Sequence, residues 1–337
     1  MIKEAIKKTR ERLDLTPKEM TAVFDEIMSG APESGDVKEF LLALKAKGES
    51  PEEIAAAARI MRERCVRVRT RSADLIDTCG TGGAKINDVN ISTLSAIVLA
   101  ACGLKVAKHG NRSFTGRCGS ADIMEALGVD INASAEKTAE EIDTVGIGFI
   151  FAKNYHPAMK NVAGIRKELK TRTIFNILGP LSNPAGAKRQ IIGVYKPELT
   201  EVMARALGEL GAEAAYVIHG MEGLDEISIK GKTRISSLEA GGVTSSYISP
   251  EDFGMRERPL DGIEGGTCER NKKIVLGVLK GEKGAPRDMV IINAAAALKM
   301  TGAASGFKEG SGMAAECIDS GRALAKLDEL IRMSRGA

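Results

Sequence analysis

Residues 77–93 read Asp77-Thr-Cys-Gly-Thr-Gly-Gly-Ala-Lys-Ile-Asn-Asp-Val-Asn-Ile-Ser-Thr93. Gly80, Thr81, Gly82 and Gly83 follow the apolar pair Leu75-Ile76, and Asn90, Ser92 and Thr93 open an alanine-rich apolar stretch at 96–101. A strand, a glycine loop and a hydroxyl-lined helix start suit phosphate. Glycine lets backbone N–H groups come close to an anion, and a helix N-terminus adds partial positive charge. The loop lacks the Lys-Ser/Thr ending of a P-loop NTPase, so an ATPase reading is not supported. On its own the segment is equally an ordinary strand–turn–helix junction.

Three further clusters bear on the same chemistry. Lys108-His109-Gly110-Asn111-Arg112 stands at the end of a strand candidate, and Gly119-Ser120-Ala121-Asp122 caps the helix that follows. Ligand-binding loops of open α/β sheets collect at such strand ends. Asn154-Tyr155-His156-Pro157 is followed by Arg166, whose guanidinium could grip a carboxylate with two parallel hydrogen bonds. Asp225-Glu226 follows the strand candidate 214–219 and offers adjacent carboxylates for Mg²⁺ carried by a phosphorylated ligand. Each has a plain alternative: a polar loop with an N-cap, a structural histidine, a charged turn. His219, at the end of an apolar strand, reads as structural.

The elements that must position these residues fall into two kinds. Up to about residue 72 the chain reads as helices alone. Thr16-Pro17-Lys18-Glu19 and Ser50-Pro51-Glu52-Glu53 are capping boxes with proline at the first helical position, and a third helix spans 37–46. From residue 73 strands alternate with helices: strands at 75–77, 105–107, 148–152, 190–195 and 214–219, helices at 93–102, 120–127, 135–145 and 199–210. This pattern indicates an α/β domain with a largely parallel sheet. Residues 226–249 read as an antiparallel hairpin or small meander, and helices at 288–301 and 310–332 end the chain.

The 337 residues are 43% hydrophobic and 28% charged, with a net charge of +3. That balance is of an ordinary globular protein and too weak for a nucleic-acid or membrane partner. Aromatic residues are only 4%, so platforms for stacking single-stranded nucleic acid are scarce. The N-terminus has no apolar core of a signal peptide, and six cysteines without C-x-x-C spacing read as reduced thiols, so a cytoplasmic location is expected.

Taken in order, the blocks resemble the anthranilate phosphoribosyltransferase family over nearly the whole chain. They include Gly80-Thr81-Gly82-Gly83, Asn90-Ile91-Ser92-Thr93, Lys108 to Arg112, Gly119 to Asp122, Asn154 to Met159, Arg172 to Pro180, Gly223 to Glu226 and Asn293 to Ala297. The resemblance implies transfer of the phosphoribosyl group of phosphoribosyl pyrophosphate (PRPP) to the amine of anthranilate, a step of tryptophan synthesis. It also implies Mg²⁺, a homodimer, and a small all-helical N-terminal domain beside a larger α/β domain with a largely parallel central sheet. The helical domain is expected at 1–72, joined by helices from about 165–187, and the α/β domain at 73–164 and 188–337.

Carried over by position, PRPP falls to Gly80, Thr81, Gly82, Gly83, Asn90, Ser92, Thr93, Lys108 and Ser120. Anthranilate falls to Gly80, His109, Asn111, His156, Arg166 and Gly179, and the metal to Ser92, Asp225 and Glu226. No residue is assigned as a general acid or base, because the amine of anthranilate is already neutral and orientation matters more.

The chain departs from the family pattern in three places. Ala84-Lys85 stands where Asp-Gly is usual, Thr115-Gly116 where two serines are common, and Gly265-Gly266-Thr267 where Gly-Gly-Asp is usual. Lys85 could reach a phosphate or face solvent. Two other functions therefore stay open at this point: a PRPP-dependent transferase with another aromatic acceptor, and a non-catalytic nucleic-acid-binding relative. Retained Asn111, His156 and Arg166 oppose the first, and the small net charge with intact Asp225-Glu226 opposes the second.

Overall fold

The computed structural model describes residues 1–86, 88–113 and 118–336; the departure at Thr115-Gly116 lies outside them. Four helices come first: α1 (Ile2–Arg10), α2 (Pro17–Ser29), α3 (Ser34–Lys47) and α4 (Pro51–Glu63). Both expected capping boxes form, with Thr16 and Ser50 each accepting from the N–H three residues on. Glu53 does more than complete its box. It also accepts from the Leu15 N–H at 2.9 Å and from Lys47 Nζ at 2.8 Å, with its side chain fully buried.

The alternating part runs β1 (Leu75–Asp77), α5 (Ile91–Ala101), β2 (Lys105–Gly110), α6 (Ser120–Leu127), α7 (Ala135–Thr144), β3 (Ile147–Phe151), α8 (Ala152–Tyr155), α9 (Lys160–Leu169) and α10 (Leu178–Leu181). It continues with β4 (Arg189–Gly193), α11 (Leu199–Glu209), β5 (Ala214–Gly220), β6 (Thr233–Glu239), β7 (Gly242–Ile248), α12 (Cys268–Leu279), α13 (Ala285–Met300), α14 (Phe307–Asp319) and α15 (Arg322–Ser334). The seven strands form one sheet in the order β3-β2-β1-β4-β5-β6-β7. The first five are parallel to their neighbours, and β6 and β7 add the antiparallel hairpin. The fold is thus the helical domain plus α/β domain expected from the sequence.

Successive strand residues point to opposite faces, and here each face has its own core. Ile191, Tyr216 and Ile218 pack with α5, α6 and the C-terminal helices. Ile192, Val194, Ala215 and Val217 pack with α11 and the N-terminal helices. Val162, Ile165, Phe175 and Leu181 share that second core, so the segment after β3 lies with α1–α4.

Some expectations fail locally. The helix expected at 310–332 is two, broken at Ser320-Gly321, where Gly321 takes φ 78°. Hydrophobic periodicity continues across the break, which hides it. Between 165 and 187 lie the end of α9, stopped by Lys170 in a left-handed conformation, and the four-residue α10. The reading of all six cysteines as reduced thiols is also corrected. Cys118 and Cys268, 150 residues apart, are joined by a disulfide with Cα atoms 5.2 Å apart. Sequence spacing cannot reveal a pair that tertiary folding brings together.

Candidate active site

The carboxyl ends of β1, β2, β4 and β5 converge on one region, where ligands bind in open α/β sheets. After β1 the glycine loop lies against the end of β4. The Thr81 N–H donates to the Gly193 carbonyl at 2.8 Å, and the Lys85 N–H to the Gly223 carbonyl at 3.1 Å. A Cβ on Gly80 would sit 3.1 Å from the Gly193 oxygen and 3.6 Å from Asp225 Oδ2, so a side chain here would crowd the end of β4. Gly82 and Gly83 have φ of 65° and 77°, a region that side chains disfavour.

This packing commits part of the loop's backbone to protein. The Gly82 N–H supports the Asp225 carboxylate. Arg172 Nη2 donates to the Gly83 carbonyl, and its guanidinium lies 3.8 Å above the centre of the Tyr195 ring. Arg172 stands in a block read from sequence without a role. The structure makes it the tie between the glycine loop and the segment before α10. Lys85 has an exposed side chain, with its stem over Gly223.

Asn90 precedes α5 in a left-handed conformation, φ 62° and ψ 44°. Its Nδ2 donates to the Cys118 carbonyl at 3.0 Å and its Oδ1 accepts from Asn271 Nδ2 at 2.9 Å. Asp88 Oδ1 accepts from the Asn90 and Ile91 N–H groups at 3.0 and 3.4 Å. The hydroxyl of Thr93 is buried with no hydrogen-bond partner among the described residues. An orphaned buried hydroxyl at a helix start costs free energy until something accepts or donates there.

Three carboxylates gather beside the loop. Burial raises Glu226 well above the usual range, and Asp88 and Asp225 push it further, against a helping Ser92 N–H and Lys108 ammonium. Asp88 is raised to about 7 by burial and by Asp225, and Asp225 is raised by burial. Mutually repelling, half-buried or buried oxygens are suited to a hard divalent cation. Ser92, Asp225 and Glu226 are therefore brought together as expected, and Asp88 joins them. The signal for Asp88 was in the sequence: a carboxylate four residues beyond the one missing at Ala84.

β2 carries the two residues that connect both halves of the site. Lys108 is buried and donates Nζ to the carbonyls of Thr78 and His109, each at 3.2 Å. His109 points toward the opposite side. Its N–H donates to Asp77 Oδ1 at 3.1 Å, and its Nε2 lies 3.3 Å from Nε2 of His156. Asp77 is held in turn by Asn183 Nδ2 at 2.8 Å. Burial pushes His109 well below its ordinary value, with His156 and Lys108 adding to the effect, and burial alone pushes His156 down to about 4. Both rings are neutral at neutral pH, and one donates to the other.

Gly179 backbone lies beside the His109 ring, and a Cβ on Gly179 would meet nothing within 4 Å. Arg166 is half-buried on α9, 5.7 Å from the centre of the Phe175 ring. No carboxylate pairs with it among the described residues, and burial lowers its pKa. Ser120 begins α6, and Asn111 is exposed, its Oδ1 accepting from the Arg112 N–H. Arg112 itself is turned to the surface, paired with Asp122 and Glu125, so the two cations of this cluster part company.

The chain's similarities agree with this geometry. Residues 72–324 match the family model described as glycosyl transferase family, a/b domain, and residues 3–65 the model of its helical bundle domain. An anthranilate phosphoribosyltransferase of Persephonella marina is 50% identical over 100% of both chains, and one of Geobacter sulfurreducens is 47% identical over 99% of both. The crystal structure of anthranilate phosphoribosyltransferase from Thermus thermophilus superposes with a TM-score of 0.92 at 41% identity, covering 98% of this chain and 99% of that one. The Saccharomyces cerevisiae enzyme in complex with PRPP and Mg gives 0.90 at 28% identity, covering 100% and 98%. The chain belongs to the glycosyl transferase family defined by these two domains and, within it, to the anthranilate phosphoribosyltransferases.

Proposed function

We propose that this chain transfers the phosphoribosyl group of PRPP to the amine of anthranilate, giving N-(5-phosphoribosyl)anthranilate and pyrophosphate, with PRPP on the glycine-loop side and anthranilate on the Arg166 side. One observation carries the division: adjacent residues of β2 serve both halves, Lys108 acting on Glu226 and His109 contacting His156. Complexes of the yeast relative with PRPP and Mg, and with 4-fluoroanthranilate, support the same pair of ligands here.

In the reaction the bond from the anomeric carbon to pyrophosphate breaks as the amine nitrogen bonds to that carbon. Positive charge builds on the ribose and negative charge on the leaving group. The neutral amine needs placement rather than a strong base. Arg166 supplies it through the carboxylate of anthranilate, because a half-buried guanidinium with no carboxylate partner among the described residues favours such a ligand. The neutral His109–His156 pair, Asn111, Gly179 and Gly80 complete the acceptor side.

Gly80, Thr81, Gly82, Gly83, Asn90, Ser92, Thr93, Lys108 and Ser120 form the PRPP side, supported by the orphaned Thr93 hydroxyl. Ser92, Asp225 and Glu226, with Asp88, provide the oxygen donors for Mg²⁺, which when bound supplies positive charge to the pyrophosphate. The proposal includes a homodimer in the cytoplasm and a helical domain of residues 1–72 with the segment 165–187. The shared core of that segment with α1–α4 supports the last point.

Loss of anthranilate fluorescence on mixing protein, PRPP, Mg²⁺ and anthranilate tests the reaction. Steady loss that needs all four components is expected. No loss at any Mg²⁺ concentration would falsify the proposal.

A further inference from the structure

α5 starts after Asn90 and ends at Cys102, its C-cap. There it meets the last turns of α14. Cys102 Sγ lies 2.9 Å from Cys317 Sγ, and 3.9 Å from the carbonyl of Met313 one turn earlier on α14. Neither sulfur belongs to a disulfide, and the two cysteines are 215 residues apart in the chain. Their separation is within about 1 Å of the length of a disulfide bond.

The surroundings favour a single negative charge on this pair. The hydrogen bond from Cys102 pulls the Cys317 thiol down to about 7, and the Arg322 guanidinium assists, against burial and the Glu316 carboxylate. The same hydrogen bond, together with burial, raises Cys102. The pair therefore gives up one proton near neutral pH and keeps the other between its sulfurs. Cys102 is half-buried and Cys317 is buried, so a small oxidant arrives from the Cys102 side.

We propose that Cys102 and Cys317 are an oxidation site for a peroxide, and that the disulfide formed there fastens the end of α5 to α14 and stabilises the fold. The charge, shared across the short contact, attacks from Cys102 on one peroxide oxygen. The O–O bond breaks, a sulfenic acid forms, and the departing hydroxide takes the remaining thiol proton to become water. The Cys317 thiolate then attacks that sulfur, forming the S–S bond and releasing hydroxide, which solvent protonates to a second water. Two sulfurs lose two electrons, and hydrogen peroxide gains them. A dithiol reverses the change by exchange, becoming a disulfide itself. The stabilisation arises in the unfolded chain, where a bond between residues 215 apart removes many conformations, while the folded chain already holds the sulfurs together.

The full-length protein is treated with hydrogen peroxide or dithiothreitol, and part of each sample is digested without reduction and mapped by mass spectrometry. Urea denaturation of the rest, with dithiothreitol kept in the reduced samples, gives the midpoint of each form. A linked pair of peptides carrying Cys102 and Cys317 is expected after peroxide and not after dithiothreitol. Both treatments also act on the Cys118–Cys268 bond, so Cys102→Ser and Cys317→Ser are measured in the same way. On oxidation the wild-type midpoint should rise by at least roughly 0.5 M more than that of the variants. If substitution at buried Cys317 prevents folding, Cys102→Ser, at the half-buried position, serves alone as the control. Absence of the linked peptides, or a rise in wild type no larger than in the variant, overturns the proposal.

Discussion

His109 and His156 face each other at 3.3 Å, and burial leaves both rings uncharged. This state has a cost on acidification. The unfolded chain takes up a proton at each histidine near pH 6.5, whereas folded His156 waits until about pH 4. Between those limits the unfolded state binds more protons, so stability falls as pH falls, by up to about 1.4 kcal/mol per pH unit for one such ring. Urea denaturation at pH 7, 6 and 5 should show His156→Gln with a shallower pH slope than wild type by up to that amount. Equal slopes would mean that His156 carries a proton in the folded protein. The charge at Asp88 belongs to the same scale. The glycine loop lacks a carboxylate at Ala84, yet Asp88 reaches Asp225 and Glu226 while capping the Asn90 and Ile91 N–H groups.

At the scale of the elements, the helix starts are the most local feature and were the most readable. Thr16 and Ser50 cap within four residues of their partners, so the sequence contains the whole interaction. Glu53 shows where that stops. Its capping role follows from Ser50-Pro51-Glu52-Glu53, but its bond to Leu15 spans 38 residues, and its pairing with Lys47 depends on burial. Glu53→Ala should cost about 3 kcal/mol in urea denaturation, because it leaves the buried Lys47 ammonium with the exposed Asp14 alone and unpairs the Leu15 and Ser50 N–H groups. A loss under about 1 kcal/mol would place the pair among ordinary surface bridges. The parallel strands were legible from their apolar runs. The Cys118–Cys268 pair and the contact of Asn271 with Asn90 were not, since each joins residues 150 or more apart. The beginning of α12 gave little signal because its first two turns are mostly polar, and Gly321 ends α14 inside a continuing apolar pattern.

Across the whole molecule, a single sheet lies between its two main cores, with a smaller cluster at Leu75, Ala107 and Ile150, and presents its parallel strand ends to one site. The glycine loop and the carboxylates come from the strand ends, whereas Arg166 comes from a helix that shares its core with α1–α4. On the proposed function the two substrates take different walls, with Lys108 and His109 between them. The most direct measurement is the steady-state KM for each substrate in Arg166→Ala and Asp225→Ala. Arg166→Ala should raise KM for anthranilate by roughly tenfold or more, with KM for PRPP changed less than about twofold, and Asp225→Ala should do the reverse. Two variants that raise the same KM by similar factors would contradict the division of the site.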